Sequence, residues 1–301
     1  MKKKLCTFAI LSVLSTITLI ACSKIIDDSK QVSLPSSSMN GNALTSYSGE
    51  SFIYNPNYAN EYENVGIYHN YIMDCVSHEW LNDEFETTTT DFFEFVVSKI
   101  QQIDGFGTGI NYDTIISDIR NDFLQSSFDE LTNDEQRVLI ESLLTGGDYE
   151  SFLKDIDENI NNSADTIELL KKFDIIAQKV YNSSYPDEVK DRYLIYCVVS
   201  KYSVMNLVHI CMDTNSGFYK YLVSSAFDSK ESLINKVKHI IKKHPVAASD
   251  AVGAVIGGVT CAKYGAAGGP AGVAITAIAG AVVRGACSSS MSAAGREILN
   301  R

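Results

Sequence analysis

Few residues in this 301-residue chain could do chemistry, and the first group of them contains His69, Asp74 and His78. Asp74 and His78 are four residues apart, so they share one face of a helix. His69 is nine residues from His78, which places it on the opposite face. Because a zinc site needs three or four ligands around one point, this spacing predicts no metal site. We expect His69 to be a core or capping histidine.

The second group contains Cys197, His209 and Cys211, in a strongly apolar segment. A zinc site here would need ligands from elsewhere, and a nucleophilic cysteine would need a base that the spacing does not supply. We therefore expect buried structural side chains. A Gly-x-Gly-x-Gly run at residues 105–109 lacks the strand before it and the helix after it that a dinucleotide site requires. The sequence predicts no catalytic residue, no metal and no cofactor, and indicates a protein that is not an enzyme.

The elements that must position these residues are helices. Apolar residues recur at spacings of three and four from Glu61 to Trp80, which is the pattern of one buried helix face. Thr132 and Glu135 have the spacing of a capping box, so a helix is expected to begin there. Ser163 is expected to start another helix. A long helix from Pro186 to about Met212 is expected to carry the proline in its first turn.

No segment has the apolar alternation of a strand. The predicted fold class is therefore all-α, a helical-bundle body followed by a C-terminal Gly/Ala-rich helical hairpin. Tyr193 to Met212 is mostly apolar but is interrupted by Lys201, Asn206 and His209. These polar residues favour a buried helix of a soluble bundle over a membrane span.

Charge divides the chain into unequal parts. The whole chain has a net charge of −12, but residues 22–229 sum to −21 and residues 230–301 to +6. An acidic body excludes nucleic acid as the expected partner, because phosphate contacts need clustered Lys and Arg. The basic end is suited to anionic lipid or another acidic surface. Its first helix is amphipathic and is expected to be able to lie on such a surface; it carries Lys236, Lys238, Lys242, Lys243 and His244.

The C-terminal tail has small residues at every fourth position, which places them along one helix stripe. Missing side chains there let another helix approach closely. The first series is Ser249, Gly253, Gly257, Cys261, Gly265 and Gly269. The second, after Pro270, is Ala277, Ala281, Gly285, Ser289 and Ala293. The two stripes predict a glycine-zipper hairpin. Cys261 and Cys287 lie one on each side of the Gly268-Gly269-Pro270 break, so two antiparallel helices would be able to bring them together as a disulfide.

Two locations for this hairpin are left open. Tyr264 to Val283 is a stretch of twenty residues without a charge, the length that crosses a bilayer. The first arm contains Asp250 and is followed by Lys263, which favours a hairpin buried against the helical body instead.

The N-terminus has the pattern of an export signal, with lysines at positions 2–4 and an apolar run from Leu5 to Ile20. The run ends in Leu19-Ile20-Ala21-Cys22, which resembles the lipobox of bacterial lipoproteins. The resemblance implies cleavage before Cys22 and acylation of Cys22. The residue after Cys22 is Ser23, whereas an aspartate there would resemble the inner-membrane retention signal of some double-membraned bacteria. Ser23 therefore favours the outer membrane or the cell surface of the envelope over the inner membrane.

These features divide the chain into four predicted parts. The division is a signal peptide at 1–21, a flexible tether at 22–58, an acidic helical domain at 59–229, and a basic amphipathic helix with the hairpin at 230–301.

A second resemblance concerns the two ends of the mature chain. The segments Asn64-Val65-Gly66-Ile67-Tyr68-His69-Asn70 and Ala248-Ser249-Asp250-Ala251-Val252-Gly253-Ala254 are similar to those of an uncharacterised group of secreted bacterial proteins. That group has a Gly-x-x-His-Asn motif early in the chain and a bacteriocin-like glycine-rich tail. The resemblance implies an architecture and no catalysis.

Two functions follow as expectations. The first is a non-enzymatic, lipid-anchored envelope protein whose tail packs in or against the membrane or a partner. The second is a lipid-tethered soluble binding or immunity module with the hairpin buried in its core. The membrane is the expected partner in both, through the lipid on Cys22 and, in the first, through the hairpin as well. No protein partner is identified by the sequence.

Overall fold

The structure is a computed structural model that describes residues 62–81, 92–103, 110–125, 131–223, 231–262 and 279–290. The predicted signal peptide, the acylation site Cys22 and the tether lie outside these residues, as does the glycine run at 105–109. Among the described residues 81% are helical and none lies in a strand, which confirms the all-α prediction.

The described part of the chain contains eleven α-helices, numbered here in chain order. Val76–Trp80 continues the first helix as one π-helical turn. The helices are α1 Glu63–Cys75, α2 Phe92–Ile100, α3 Tyr112–Gln125, α4 Asn133–Leu143, α5 Tyr149–Asn162, α6 Thr166–Tyr181, α7 Asp187–Met212, α8 Tyr219–Leu222, α9 Leu233–Lys243, α10 Val246–Ala262 and α11, residues 279–290.

Side-chain caps fix several of these helix starts. Thr132 accepts a hydrogen bond from the backbone N–H of Glu135, whose carboxylate accepts one from the N–H of Thr132. This is the predicted capping box. Ser163 does not start α6, contrary to the expectation. It ends α5 by donating to the carbonyl of Asn159, while Asp165 caps α6 by accepting from the N–H of Glu168. A carboxylate is the stronger acceptor at a helix N-terminus, where the helix dipole favours negative charge.

Helix α7 is the centre of the fold, and α1, α6, α9 and α10 all pack against it. It is 26 residues long and is also apolar enough to cross a membrane, but 72% of its most apolar stretch is buried inside the protein. Pro186 immediately precedes its first residue, where a proline costs the helix no hydrogen bond. This burial is that of a core helix.

The two arms of the C-terminal hairpin are also part of the core. Ala254, Val255, Val282 and Ala286 are completely buried, and they belong to the same apolar cluster as the residues of α1 and α7. Helices α10 and α11 run antiparallel, because contacts near Gly253 come from later residues of α11 than those near Gly257.

Candidate functional site

The first part of the site is the Gly66-x-x-His69-Asn70 motif on α1. Gly66 is a glycine for a steric reason, since a Cβ built there would lie 2.6 Å from Cγ of the Tyr202 ring on α7. The missing side chain lets α1 approach α7 closely. His69, one turn further on, is then completely buried, as expected for a core histidine.

Hydrogen bonds determine the orientation of the His69 ring. The amide nitrogen of Asn70 donates to the backbone carbonyl of Tyr202 at 2.9 Å, so its amide oxygen points to His69. That oxygen only accepts, and Nδ1 of His69 lies 3.1 Å from it. Nδ1 therefore carries the proton, and Nε2 of a neutral ring is left as an acceptor.

Asp250 of α10 lies on the other side of the ring. Its Oδ2 is 3.5 Å from Nε2 of His69, and both side chains have no exposed surface. The side chains of Ser203 and Ser289 lie beside the same carboxyl group, whose two oxygens have no hydrogen-bond partner of normal geometry in the structure. Gly285 of α11 lies beside the pair, since a Cβ there would be 3.2 Å from Cδ2 of His69. Four helices, α1, α7, α10 and α11, therefore meet at one polar point.

Burial determines the protonation of this pair. It lowers the pKa of His69 to about 4, and the hydrogen bond that His69 donates to Asn70 opposes this shift. Burial also raises the pKa of Asp250 well above its ordinary value, and the neighbouring hydroxyl groups of Ser203 and Ser289 only partly oppose this. Both shifts favour the uncharged forms. A protonated Asp250 can direct its proton at the free acceptor Nε2, so the two preferences agree. We call His69, Asn70, Asp250, Ser203 and Ser289 the neutral cluster.

The neutral cluster joins the two segments that carry the sequence resemblance, although 181 residues separate His69 from Asp250. Neither side chain has surface that a substrate could reach in this conformation. What the arrangement can do chemically is hold the tail to the body through polar contacts inside an apolar core. Within the described ranges no group of three or more His, Cys, Asp or Glu side chains is arranged to hold a metal ion.

The predicted small-residue stripe of α10 faces α11. A Cβ on Gly257 would lie 2.6 Å from the carbonyl carbon of Gly280, and one on Gly253 would lie 2.9 Å from the carbonyl oxygen of Arg284. The hydroxyl of Ser249 donates to the carbonyl of Ser288 at 3.3 Å. In all three cases backbone atoms of α11 are among the close neighbours.

On α11 the contacts come one residue earlier than the predicted stripe. Gly280, Arg284 and Ser288 face the glycines of α10, whereas the predicted residues were Ala281, Gly285 and Ser289. Gly285 instead faces α1, and also the Asp250 and Ala254 turn of α10. Ala281 and Ser289 are buried in the same helix.

The remaining predicted tail residues fall at or beyond the edge of the described part. Cys261 lies in α10, but its side chain is outside the described residues, as are Gly265, Gly269, Ala277 and Ala293. Cys287 is a buried thiol. The pairing of Cys261 with Cys287 stays a prediction.

The other chemistry-bearing residues do not converge. His78 lies between two carboxylates, with Nε2 at 3.4 Å from Asp74 and 3.9 Å from Asp213. The thiol of Cys197 donates to the carbonyl of Phe173 at 3.3 Å. Cys197 and His209 are twelve residues apart on one helix, which is about 18 Å.

Burial shifts the pKa values of these α7 side chains away from reactive forms. It raises the pKa of Cys211 to about 12 and that of Cys197 as well. It lowers the pKa of His209, which the nearby Asp74 carboxylate opposes. A thiol with a raised pKa is a poor nucleophile.

One buried group was not predicted. Lys201 is 2% exposed, and its ammonium group donates to Glu63 of α1 at 2.7 Å and to Asp174 of α6 at 3.0 Å. Burial raises the pKa of Asp174, and the ammonium of Lys201 opposes the shift. We call Glu63, Asp174 and Lys201 the charged cluster. The signal for it in the sequence was Lys201 itself, a charged residue within the mostly apolar stretch from Tyr193 to Met212.

Comparison with known proteins adds no family. No protein-family model, no curated protein and no solved structure matches the chain.

Proposed function

We propose that this chain is a lipid-tethered, non-enzymatic helical module of the bacterial cell envelope, in which the Gly/Ala-rich hairpin is a core element and not a membrane anchor. The lipobox at Cys22 supports the tether. The burial of the hairpin arms supports the second part, and with it the choice of a binding module over a membrane-inserted protein. The outer membrane or the cell surface is the proposed location, because Ser23 follows the acylated cysteine.

The observation that carries the proposal is the position of Asp250. It is the one acidic residue of α10, and it is completely buried against His69 of the first helix. A hairpin inserted in a bilayer would have to remove this carboxyl group from the four helices that surround it. It would also expose the side of α7 that α10 covers. Both changes are unfavourable, because buried polar groups need their partners and apolar surface avoids water.

The tether is tested by Cys22→Ser. We expect this variant to incorporate no labelled fatty acid and to accumulate as a precursor of higher mass. Continued labelling would overturn the acylation of Cys22.

The core hairpin is tested with a secreted form that has no lipid. Residues 1–22 are replaced by an ordinary cleavable export signal, so that the mature chain begins at Ser23. We expect this form to leave the membrane fraction when membranes are washed at high pH, while the acylated parent stays. Retention of the unacylated form in the washed membranes would favour insertion of the hairpin and would overturn the proposal.

A further inference from the structure

Helix α9 is the most basic element of the described chain. It contains four lysines, one histidine and no acidic residue, within a chain of net charge −12. Its sequence pattern alone is typical of a helix that dips its apolar side into a membrane. The structure excludes that arrangement in this conformation, because Ile234, Val237 and Ile240 are buried in the protein core.

The lysines of α9 have two different roles. Lys238 donates to the backbone carbonyls of Asn161 and Ser163 at 2.8 Å and 2.7 Å, so it caps the C-terminus of α5. Lys242 and Lys243 are exposed and Lys236 is partly exposed. We call Lys236, Lys242 and Lys243 the basic face.

We propose that the basic face is the surface through which the protein rests on an anionic phospholipid membrane. The inference rests on the proposed function, because the acyl chains on Cys22 are what bring α9 within reach of lipid. It goes further, since it says which side of the protein faces the bilayer and by which force. The contact is electrostatic and peripheral, because the apolar side of α9 is already covered.

Charge placement gives the reason for the orientation. The acidic body is repelled by anionic headgroups, whereas each lysine held near such a surface gains about 1 kcal/mol, which is about a fivefold change in occupancy. A lipid on Cys22 sets the distance of the protein from the membrane without selecting a face. The basic face selects one.

Lysine labelling of the acylated mature protein tests the proposal. The protein is reconstituted on vesicles of phosphatidylcholine alone or of equal parts phosphatidylcholine and phosphatidylglycerol. It is then treated with an amine-reactive reagent, and modification of each lysine is measured by mass spectrometry. Lys179 and Lys190 are internal controls. Lys236 of the basic face lies near Cys211 of α7. Lys190 is twenty-one residues from Cys211 along the same helix, so these two residues are about 30 Å apart.

We expect Lys236, Lys242 and Lys243 to be labelled about fivefold more slowly on the anionic vesicles, with Lys179 and Lys190 unchanged. The protection should disappear near 1 M salt, where charges are screened beyond about 3 Å. Equal labelling of the basic face on both vesicles would overturn the proposal. So would equal protection of the two control lysines, or protection that survives high salt.

Charge reversal provides a matched pair of variants. In Lys242→Glu with Lys243→Glu, protection of Lys236 should be lost. In Lys179→Glu with Lys190→Glu, which changes the net charge equally, protection of Lys236 should persist. The reverse result would overturn the proposal. Absence of the parent protein from phosphatidylcholine vesicles would be a separate failure, that of acylation, and would overturn the proposed function together with this inference.

Discussion

The charged cluster and the neutral cluster each include a buried residue of α7, Lys201 in the first and Ser203 in the second. The cost of burying ionisable groups is nevertheless offset differently in the two clusters. The ammonium group of Lys201 is paired with two carboxyl groups, on α1 and α6, which lie within hydrogen-bond distance of it. The basic side chain that the structure places beside Asp250 is His69, which burial itself keeps neutral. One cluster therefore cancels charge by pairing, and the other avoids it by protonation.

The difference follows from what surrounds each cluster. The charged cluster includes Glu63, in the first turn of α1, which is still 13% exposed, so water reaches one edge of it. The neutral cluster lies between glycine and serine residues of α10 and α11, with no exposed surface on His69 or Asp250. The cost of an ionised group rises steeply as water is removed. Close helix packing and an uncharged carboxyl group are thus consequences of the same local composition.

The largest expected effect comes from breaking the charged cluster. Lys201→Met removes the ammonium group and leaves Glu63 and Asp174 buried without their shared partner. Such a loss typically costs about 3–5 kcal/mol. We expect a reduction of this size in the free energy of unfolding, measured by urea denaturation at neutral pH.

Two further variants sharpen that experiment. Lys171→Met, on the exposed side of α6, should change the stability by less than about 0.5 kcal/mol. In a background of Glu63→Gln and Asp174→Asn, Lys201→Met should cost much less than in the parent, because no charge is left unpaired. A loss below about 1 kcal/mol for the single variant would mean that the cluster is not held by its charges.

The second effect concerns the close approach of α1 to α7, which places the neutral cluster. Alanine is favoured over glycine in an exposed helix by about 1 kcal/mol, but at Gly66 a Cβ would collide with the Tyr202 ring. Gly66→Ala should therefore destabilise the protein, by about 1–3 kcal/mol as overpacking does. In a Tyr202→Ala background the same change should be neutral or stabilising. Stabilisation by Gly66→Ala in the parent would contradict the packing.

Local patterns predicted the elements that local interactions create. The capping box at Thr132 and the buried face of α1 depend on residues within a turn or two of each other, so spacing alone was sufficient. Helix α5 was not predicted, although Asp148 caps it and Phe152, Ile156 and Ile160 repeat at intervals of four. Most of its residues are polar, so the narrow apolar stripe was not recognised as the buried face of a helix. Val255 is not one of the small residues of the predicted stripe of α10, and yet it is completely buried, because α10 is enclosed on more than one side.

The candidate site shows where local patterns stop. Small residues at every fourth position of α10 predicted a close approach to a second stripe, but the residues of α11 that face the glycines of α10 come one position earlier than the predicted ones. His69 was expected in the core, but its contact with Asp250 depends on how α1 and α10 are placed around α7. Nothing in the sequence near either residue specifies that arrangement. The charged cluster was missed for the same reason, since its three members come from three helices.

The smallest and most discriminating effect is the pH dependence that Asp250 gives to stability. In the unfolded chain its pKa is near 3.8, and in the folded protein it is raised. The folded state therefore keeps a proton that the unfolded state releases, and stability falls as pH rises from about 4 through the folded pKa.

His69 has the opposite effect between its folded pKa of about 4 and its unfolded value of 6.5, because there the unfolded state binds more protons. Above pH 6.5 the contribution of His69 has ended, and of these two groups only Asp250 still lowers the stability, until the pH passes its folded pKa, by no more than about 1.4 kcal/mol per pH unit. Asp250→Asn should remove that loss and, near pH 6, change stability little, since the amide is also uncharged and can donate to Nε2 of His69. Urea denaturation of parent and variant from pH 5 to 9 measures both curves. Parallel curves above pH 6.5, together with a cost of about 3–5 kcal/mol for the variant at neutral pH, would mean that Asp250 and His69 form an ion pair, and the two clusters would then be alike.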